Sequence, residues 1–303
     1  MDTLPAPKEK PSALPDSPTL EPASPALEGG RCGDGVCAGP KNSQSCPQDC
    51  SGGETSPTQN GIPSSVFVVH CEPTKANENM WAELFKLVSM ADTYAVPLTI
   101  DFTAQWAEMI LADQSKLNQV SSWLDNGHEI ACHHHAYWGT KERGSTWDGY
   151  TNTPLDEIDP QDLGQYKGNM EDYLSILNAL PGSRTSGCLG CTAHPQDEKD
   201  WPCQIQLGTE GHSLEDAVSQ PHQVTIGECQ VTQIGHALIV SQGEGTLAEL
   251  YTNTNPNTVF GVVGHVFNYA EFPIVFEEWF KFLHAQDSSG ESRFTVSDLL
   301  EDW

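Results

Sequence analysis

The sequence predicts an α/β domain over residues 64–303, built on a parallel sheet or barrel. Two observations carry this. Short apolar runs alternate with amphipathic segments of helical period, which is the pattern of β/α units. Polar, chemistry-bearing residues also follow the apolar runs directly: His70 and Glu72 after the first, His133, His134 and His135 after the third, and His265 at the end of a late one. Folds of this class place their sites at the carboxyl ends of strands.

Taken in order, residues 1–30 carry a proline every few positions and almost no large apolar side chains, and read as an extended, disordered linker. Residues 31–50, "RCGDGVCAGPKNSQSCPQDC", read as a small unit stapled by disulfides among Cys32, Cys37, Cys46 and Cys50. Zinc is the competing reading, but the paired Cys-x-x-Cys knuckles of a zinc ribbon are missing. Residues 51–63, rich in Ser, Gly, Thr and Pro, form a second linker.

The domain then opens with "SSVFVVH", a buried strand, followed by "NENMWAELFKLVSMADTY", whose apolar residues fall on one helical face. "VPLTIDF" is a second strand. "AQWAEMILAD" and "SKLNQVSSWLDNG" are helices, the latter stopped by Gly127, and "HEIAC" is a third strand. Asp159 followed by Pro160 predicts a helix start, with the helix running to about Leu180. Further strands are expected near residues 204–207, 224–226, 237–240 and 259–264, and a helix over 274–284.

The 14 basic residues against 42 acidic ones give a net charge of −28. Such a surface repels nucleic acid and anionic membranes. No apolar run is long enough to span a membrane. Ten cysteines point to an oxidising compartment, so the chain is expected to be extracellular or on the cell surface, written without its export signal. Cys71 and Cys132 bridge if their strands are neighbours and are otherwise buried thiols. Cys188, Cys191, Cys203 and Cys229 have the makings of two more bridges.

Imidazole and carboxylate are the ligands of a borderline divalent cation such as zinc. Glu72 with two histidines of the 133–135 run supplies three protein ligands. In an extended segment His133 and His135 point the same way and His134 the other. Trp138, Trp147 and Tyr150 either stack on sugar rings or pack over the barrel mouth. His194, His212, His222, His236 and His284 read as solvent-facing or structural, and His128 as structural.

Several segments resemble the polysaccharide deacetylase (NodB-homology, carbohydrate esterase family four-like) superfamily: "NGHEIACH", "VFVVHCEP", "RTSGCLG", "VFGVVGH" and the closing "FTVSDLLEDW". The resemblance implies an irregular (β/α) barrel that removes acetyl groups from a polysaccharide with one divalent metal, zinc being expected. It assigns Glu72 and His133 to the metal and His70, Arg184 and His265 to catalysis, with Tyr137 and Trp138 as substrate contacts. The family's second metal histidine comes four residues after the first. Tyr137 stands there, so His135 or His134 substitutes. Its acidic base is replaced by His70, which is either the base or a fourth ligand. Two alternatives keep the same fold: a catalytically altered carbohydrate-binding or cell-surface protein, and a hydrolase of another amide or ester. The cysteine unit resembles small Cys-rich motifs attached to secreted microbial proteins.

Overall fold

The computed structural model describes residues 61–301. The expectations for residues 1–60 lie outside the described residues. The strands are β1 (Ser64–Cys71), β2 (Thr99–Phe102), β3 (Glu129–His134), β4 (Ser186–Leu189), β5 (Leu207–Glu210), β6 (Val218–Ser219), β7 (His222–Ile226), β8 (Cys229–Gly235), β9 (Ala237–Leu238), β10 (Val259–His265) and β11 (Arg293–Phe294). Parallel ladders join β10, β1, β2, β3, β4, β5 and β8 in that order. After His236 the chain of β8 continues as β9, which pairs in parallel with β10. The ring therefore closes through one bent strand, giving an irregular barrel. Where β8 meets β10, a Cβ on Gly261 would overlap the carbonyl oxygen of Gly235, so the seam requires glycine there.

The helices are α1 (Glu78–Thr93), α2 (Ala104–Leu111), α3 (Gln114–Asp125), α4 (Tyr137–Arg143), α5 (Met170–Asn178), α6 (Ile239–Gln242), α7 (Glu244–Asn253), α8 (Val266–Glu271), α9 (Pro273–Gln286) and α10 (Val296–Leu300). Local chemistry sets their ends. The Asn77 side chain accepts from the N–H groups of Asn79 and Met80 to cap α1. Asp113 caps α3, which stops before Gly127 at φ 90°.

Strand alternation divides the barrel wall into two faces. Phe67, Val69 and Cys71 of β1 join the large apolar layer under the helices, as do Ile100 and Phe102 of β2 and Ile130 and Cys132 of β3. Val66, Val68, Leu207, Ile234, Val259 and Val263 point inward and pack on Val296, Leu299 and Leu300 of α10, which plugs the amino end of the barrel. There the Glu129 carboxylate accepts from the hydroxyls of Thr99, Ser186 and Ser297 and from the Ser297 N–H. The inward series continues upward to His70, Asp101, His133, Cys188, His236 and His265, so the layer above the apolar plug is polar on almost every strand.

Some local expectations are corrected. The helix expected from Asp159 starts at Met170, because Asn169 and Asp172 form a capping box. Asp159 instead accepts from the Gln161 N–H and from Lys141 Nζ. The strand expected near 204–207 begins only at Leu207, and that near 237–240 is two residues of β9 followed by α6. Among the described residues Cys203 and Cys229 are bridged, whereas Cys71, Cys132, Cys188 and Cys191 are free thiols. Cys71 and Cys132 lie on β1 and β3 with β2 between them, which rules out their bridge.

Candidate metal centre

Ladder register builds the site. His70 lies opposite His265 on one side and opposite Asp101 on the other, and His133 lies opposite Cys188. Asp101 in turn pairs with Ala131, so His133 and Cys188 stand one inward position further along their strands than His70, Asp101 and His265, all of them above the inward Val68, Thr99, Ala131, Ser186 and Val263. Glu72 follows β1 by one residue and reaches over this layer.

Four side chains converge there. Glu72 places Oε2 3.2 Å from His135 Nε2, and Oε1 3.5 Å from His133 Nε2 and 3.3 Å from His265 Nε2. His133 and His135 bring their Nε2 atoms to 3.0 Å of one another. The opposite ring nitrogens decide what these atoms are. His133 Nδ1 faces the Cys188 carbonyl at 3.0 Å, and His135 Nδ1 faces the Thr146 carbonyl at 2.7 Å. A carbonyl only accepts, so each Nδ1 carries the proton. His265 Nδ1 lies 2.9 Å from Asn268 Oδ1, which fixes its ring in the same way. With Nδ1 engaged in this way, all three rings turn Nε2 towards one carboxylate. Two Nε2 atoms 3.0 Å apart hold either a shared proton or a cation between them.

The electrostatics agree. Burial would raise the Glu72 pKa, but hydrogen bonds from His133, His135 and His265 drive it far below the ordinary carboxylate range. Burial lowers the His133 pKa despite the pull of Glu72. For His135 burial acts in the same sense, but the bond to Glu72 outweighs it and the pKa rises. Glu72, His133 and His135 thus have the residue types and proximity of a divalent-cation site. The Cys188 and Thr146 carbonyls hold the two imidazoles as such sites require.

His134 is not part of it. Its ring turns to the outer face, where Nδ1 meets Asp148 Oδ2 at 2.7 Å and Nε2 lies 3.7 Å from Asp200 Oδ2. Burial opposes its charge, yet the two carboxylates push its pKa up to about 10. This buried ion group steadies the loop after β3, because Asp148 also accepts the His135 N–H at 3.0 Å.

Arg184 is not brought to the centre either. It precedes β4 at the amino end of the barrel, and its guanidinium donates to the carbonyls of Pro181, Ser183 and Ile130. The Tyr137 hydroxyl donates to Asp162 and accepts from the Asp159 N–H and Lys141 Nζ, and its ring is buried with Trp147 and Ile158. Half-buried Trp138 stacks on His194 at 6.0 Å. Trp147 and Tyr150 are buried, so these aromatics pack the flank of the mouth.

Two histidines read as bland in the sequence belong to the cluster. His236 is fully buried with its ring 5.4 Å from that of His70. His212 is exposed at the mouth, stacked on His265 at 6.1 Å. Burial and neighbouring imidazoles push their pKa values down to about 3 and about 4. The signal that could have found them is local: β5, β8 and β10 each run into a Gly-His pair, at 211–212, 235–236 and 264–265.

No protein-family model matches the chain, and no curated protein does. Among solved structures, a protein of Mycobacterium smegmatis provisionally described as a polysaccharide deacetylase superposes with a TM-score of 0.48 at 12% identity, over 80% of this chain and 91% of that one. The 4-alpha-glucanotransferase of Thermococcus litoralis gives 0.48 at 14% identity, over 80% of this chain and 40% of that one. A Bordetella bronchiseptica protein, provisionally described as a polysaccharide deacetylase involved in O-antigen biosynthesis, gives 0.38 at 11% identity, over 75% and 86%. At this identity and superposition a shared reaction does not follow.

Proposed function

We propose that this chain is a secreted, zinc-dependent hydrolase that removes acetyl groups from a polysaccharide, with an N-acetyl amide as the scissile group. The observation that carries the reading is the convergence of Glu72, His133 and His135 on one point at the carboxyl end of the barrel, with both imidazoles held by backbone carbonyls. These three residues hold the cation. When bound, such a cation lowers the pKa of a water and polarises a carbonyl oxygen. His265, oriented by Asn268 and 3.3 Å from Glu72, delivers a proton to the leaving amine. His70, expected as the base, is 1% exposed and stacks against His133 at 4.1 Å. The proton of the attacking water therefore passes to His212, which is exposed at the mouth. The Cys203–Cys229 disulfide supports an extracellular setting. Among the described residues no helix is long and apolar enough to cross a membrane.

The test is acetate release from acetylated oligosaccharides by the zinc-loaded chain. Release that disappears in Glu72→Ala supports the reading. A metal-loaded chain that releases no acetate from any ester or amide tried, yet binds the oligosaccharide, would show a binding protein on the same scaffold. The replacement of the family's acidic base by His70 is the observation that favours this second reading.

A further inference from the structure

Behind the first centre lies a second group of potential ligands that shares no residue with Glu72, His133 and His135. One ring nitrogen of His70, one of His236 and the Sγ of Cys188 lie within 4.8 Å of one another. They come from β1, the β8–β9 bend and β4, and all face inward at the carboxyl end of the ring. Both imidazoles are at most 1% exposed. Neither ring nitrogen of His236 has a hydrogen-bond partner, nor does Nε2 of His70. Buried polar atoms are almost always paired, so orphaned nitrogens on both rings, beside the Cys188 Sγ, indicate that a ligand belongs there.

The surroundings show which kind. Asp101 stands beside His70, its Oδ2 3.7 Å from Nε2, and its Oδ1 is likewise unpartnered and buried. A carboxylate next to one nitrogen of a ligating imidazole is a common supporting arrangement at metal sites. Asp101 also accepts the Cys188 N–H at 3.2 Å, while the Cys188 carbonyl accepts from His133 Nδ1 at 3.0 Å. One residue thus orients a ligand of the first centre with its backbone and faces the second group with its thiol. His212 borders the group, its ring 5.9 Å from His70 and 5.5 Å from His236.

We propose that His70, His236 and Cys188 form a second cation site, for a thiophilic divalent ion of the zinc class. Imidazole and thiolate are the ligand types that zinc takes, and two nitrogens with one sulfur are a poor set for magnesium or calcium. Binding replaces the thiol proton, which leaves to solvent, so no oxidant or reductant is needed.

The test is metal stoichiometry on the full chain, stripped with a chelator and titrated with zinc. Two equivalents per chain are expected in the wild type. His236→Ala and Cys188→Ser should each keep one, and Glu72→Ala should keep the other. Cobalt in place of zinc should give a thiolate-to-cobalt charge-transfer absorption in wild type and in Glu72→Ala, lost in Cys188→Ser. Should a buried variant fail to fold, the wild type still decides. Zinc should protect Cys188 from alkylation, located by peptide mass spectrometry, as the second equivalent is added. A single equivalent in the wild type that Cys188→Ser retains, a band unchanged in Cys188→Ser, or full alkylation of Cys188 in the loaded protein overturns the site. None of these outcomes depends on hydrolysis, and loss of the Glu72 equivalent alone would strike only the proposed hydrolase centre.

Discussion

His133 and His135 present their Nε2 atoms to each other at 3.0 Å, while each ring's other nitrogen donates to a backbone carbonyl. Two lone pairs held at that separation repel unless something positive lies between them. In the metal-free chain a proton on His135, held by the Glu72 carboxylate, meets this need, and a cation takes its place on binding.

Zinc should therefore stabilise the fold. At a free concentration about 100-fold above Kd, binding contributes about 2.7 kcal/mol of stability. Thermal unfolding with and without zinc measures it. Glu72→Ala and His133→Ala should lose most of the gain, and His194→Ala should keep it.

Removing the proton carrier should spare the metal. His265→Ala is expected to lower kcat by about 10²–10⁴-fold, with the metal content of the Glu72 centre unchanged. Steady-state kinetics beside metal analysis checks both. An unaltered kcat would remove His265 from the reaction.

Acid stability should depend on Asp287. This buried carboxylate accepts from the N–H groups of Ser289, Gly290 and Ser292 and from two serine hydroxyls. Burial alone would raise its pKa, but these bonds lower it to about 2. The folded pKa is thus below the unfolded one, near 3.9. The contribution is fully present above about pH 4 and fades as pH falls towards 2, and from the shift it amounts to about 2 kcal/mol. Asp287→Asn should be less stable than wild type at pH 7 in urea unfolding, and the difference should shrink in that acidic window.

The seam of the barrel should tolerate no side chain. Gly261→Ala puts a methyl group onto the Gly235 carbonyl, between two backbones that cannot move apart without opening the ring. A loss of at least about 1–3 kcal/mol is expected, read by denaturant unfolding. Gly245→Ala, where nothing lies near the added carbon, should be close to neutral.

Much of this was legible in the residues. Alternating apolar runs and helical periods defined the α/β class, and "SSVFVVH", "HEIAC" and "VFGVVGH" fell on β1, β3 and β10. Period-two alternation separated His133 and His135 from His134, because a strand sends neighbours to opposite faces. These are local properties, set by dihedral geometry within a few residues.

The tertiary structure decided the rest. His70, His212, His236 and His265 meet only because the bend at His236 carries β8 into pairing with β10 and closes the ring. Arg184 sits in a plausible motif, yet the direction of β4 sends it to the opposite end of the barrel, where three carbonyls hold it. Tyr137 follows the metal-binding strand, but the 154–165 segment folds back over it and occupies its hydroxyl. Such outcomes depend on contacts between residues far apart in sequence. Composition, periodicity and spacing report which face of its own strand a side chain takes, whereas which strands stand opposite one another, and at what height, is settled by packing across the closed ring.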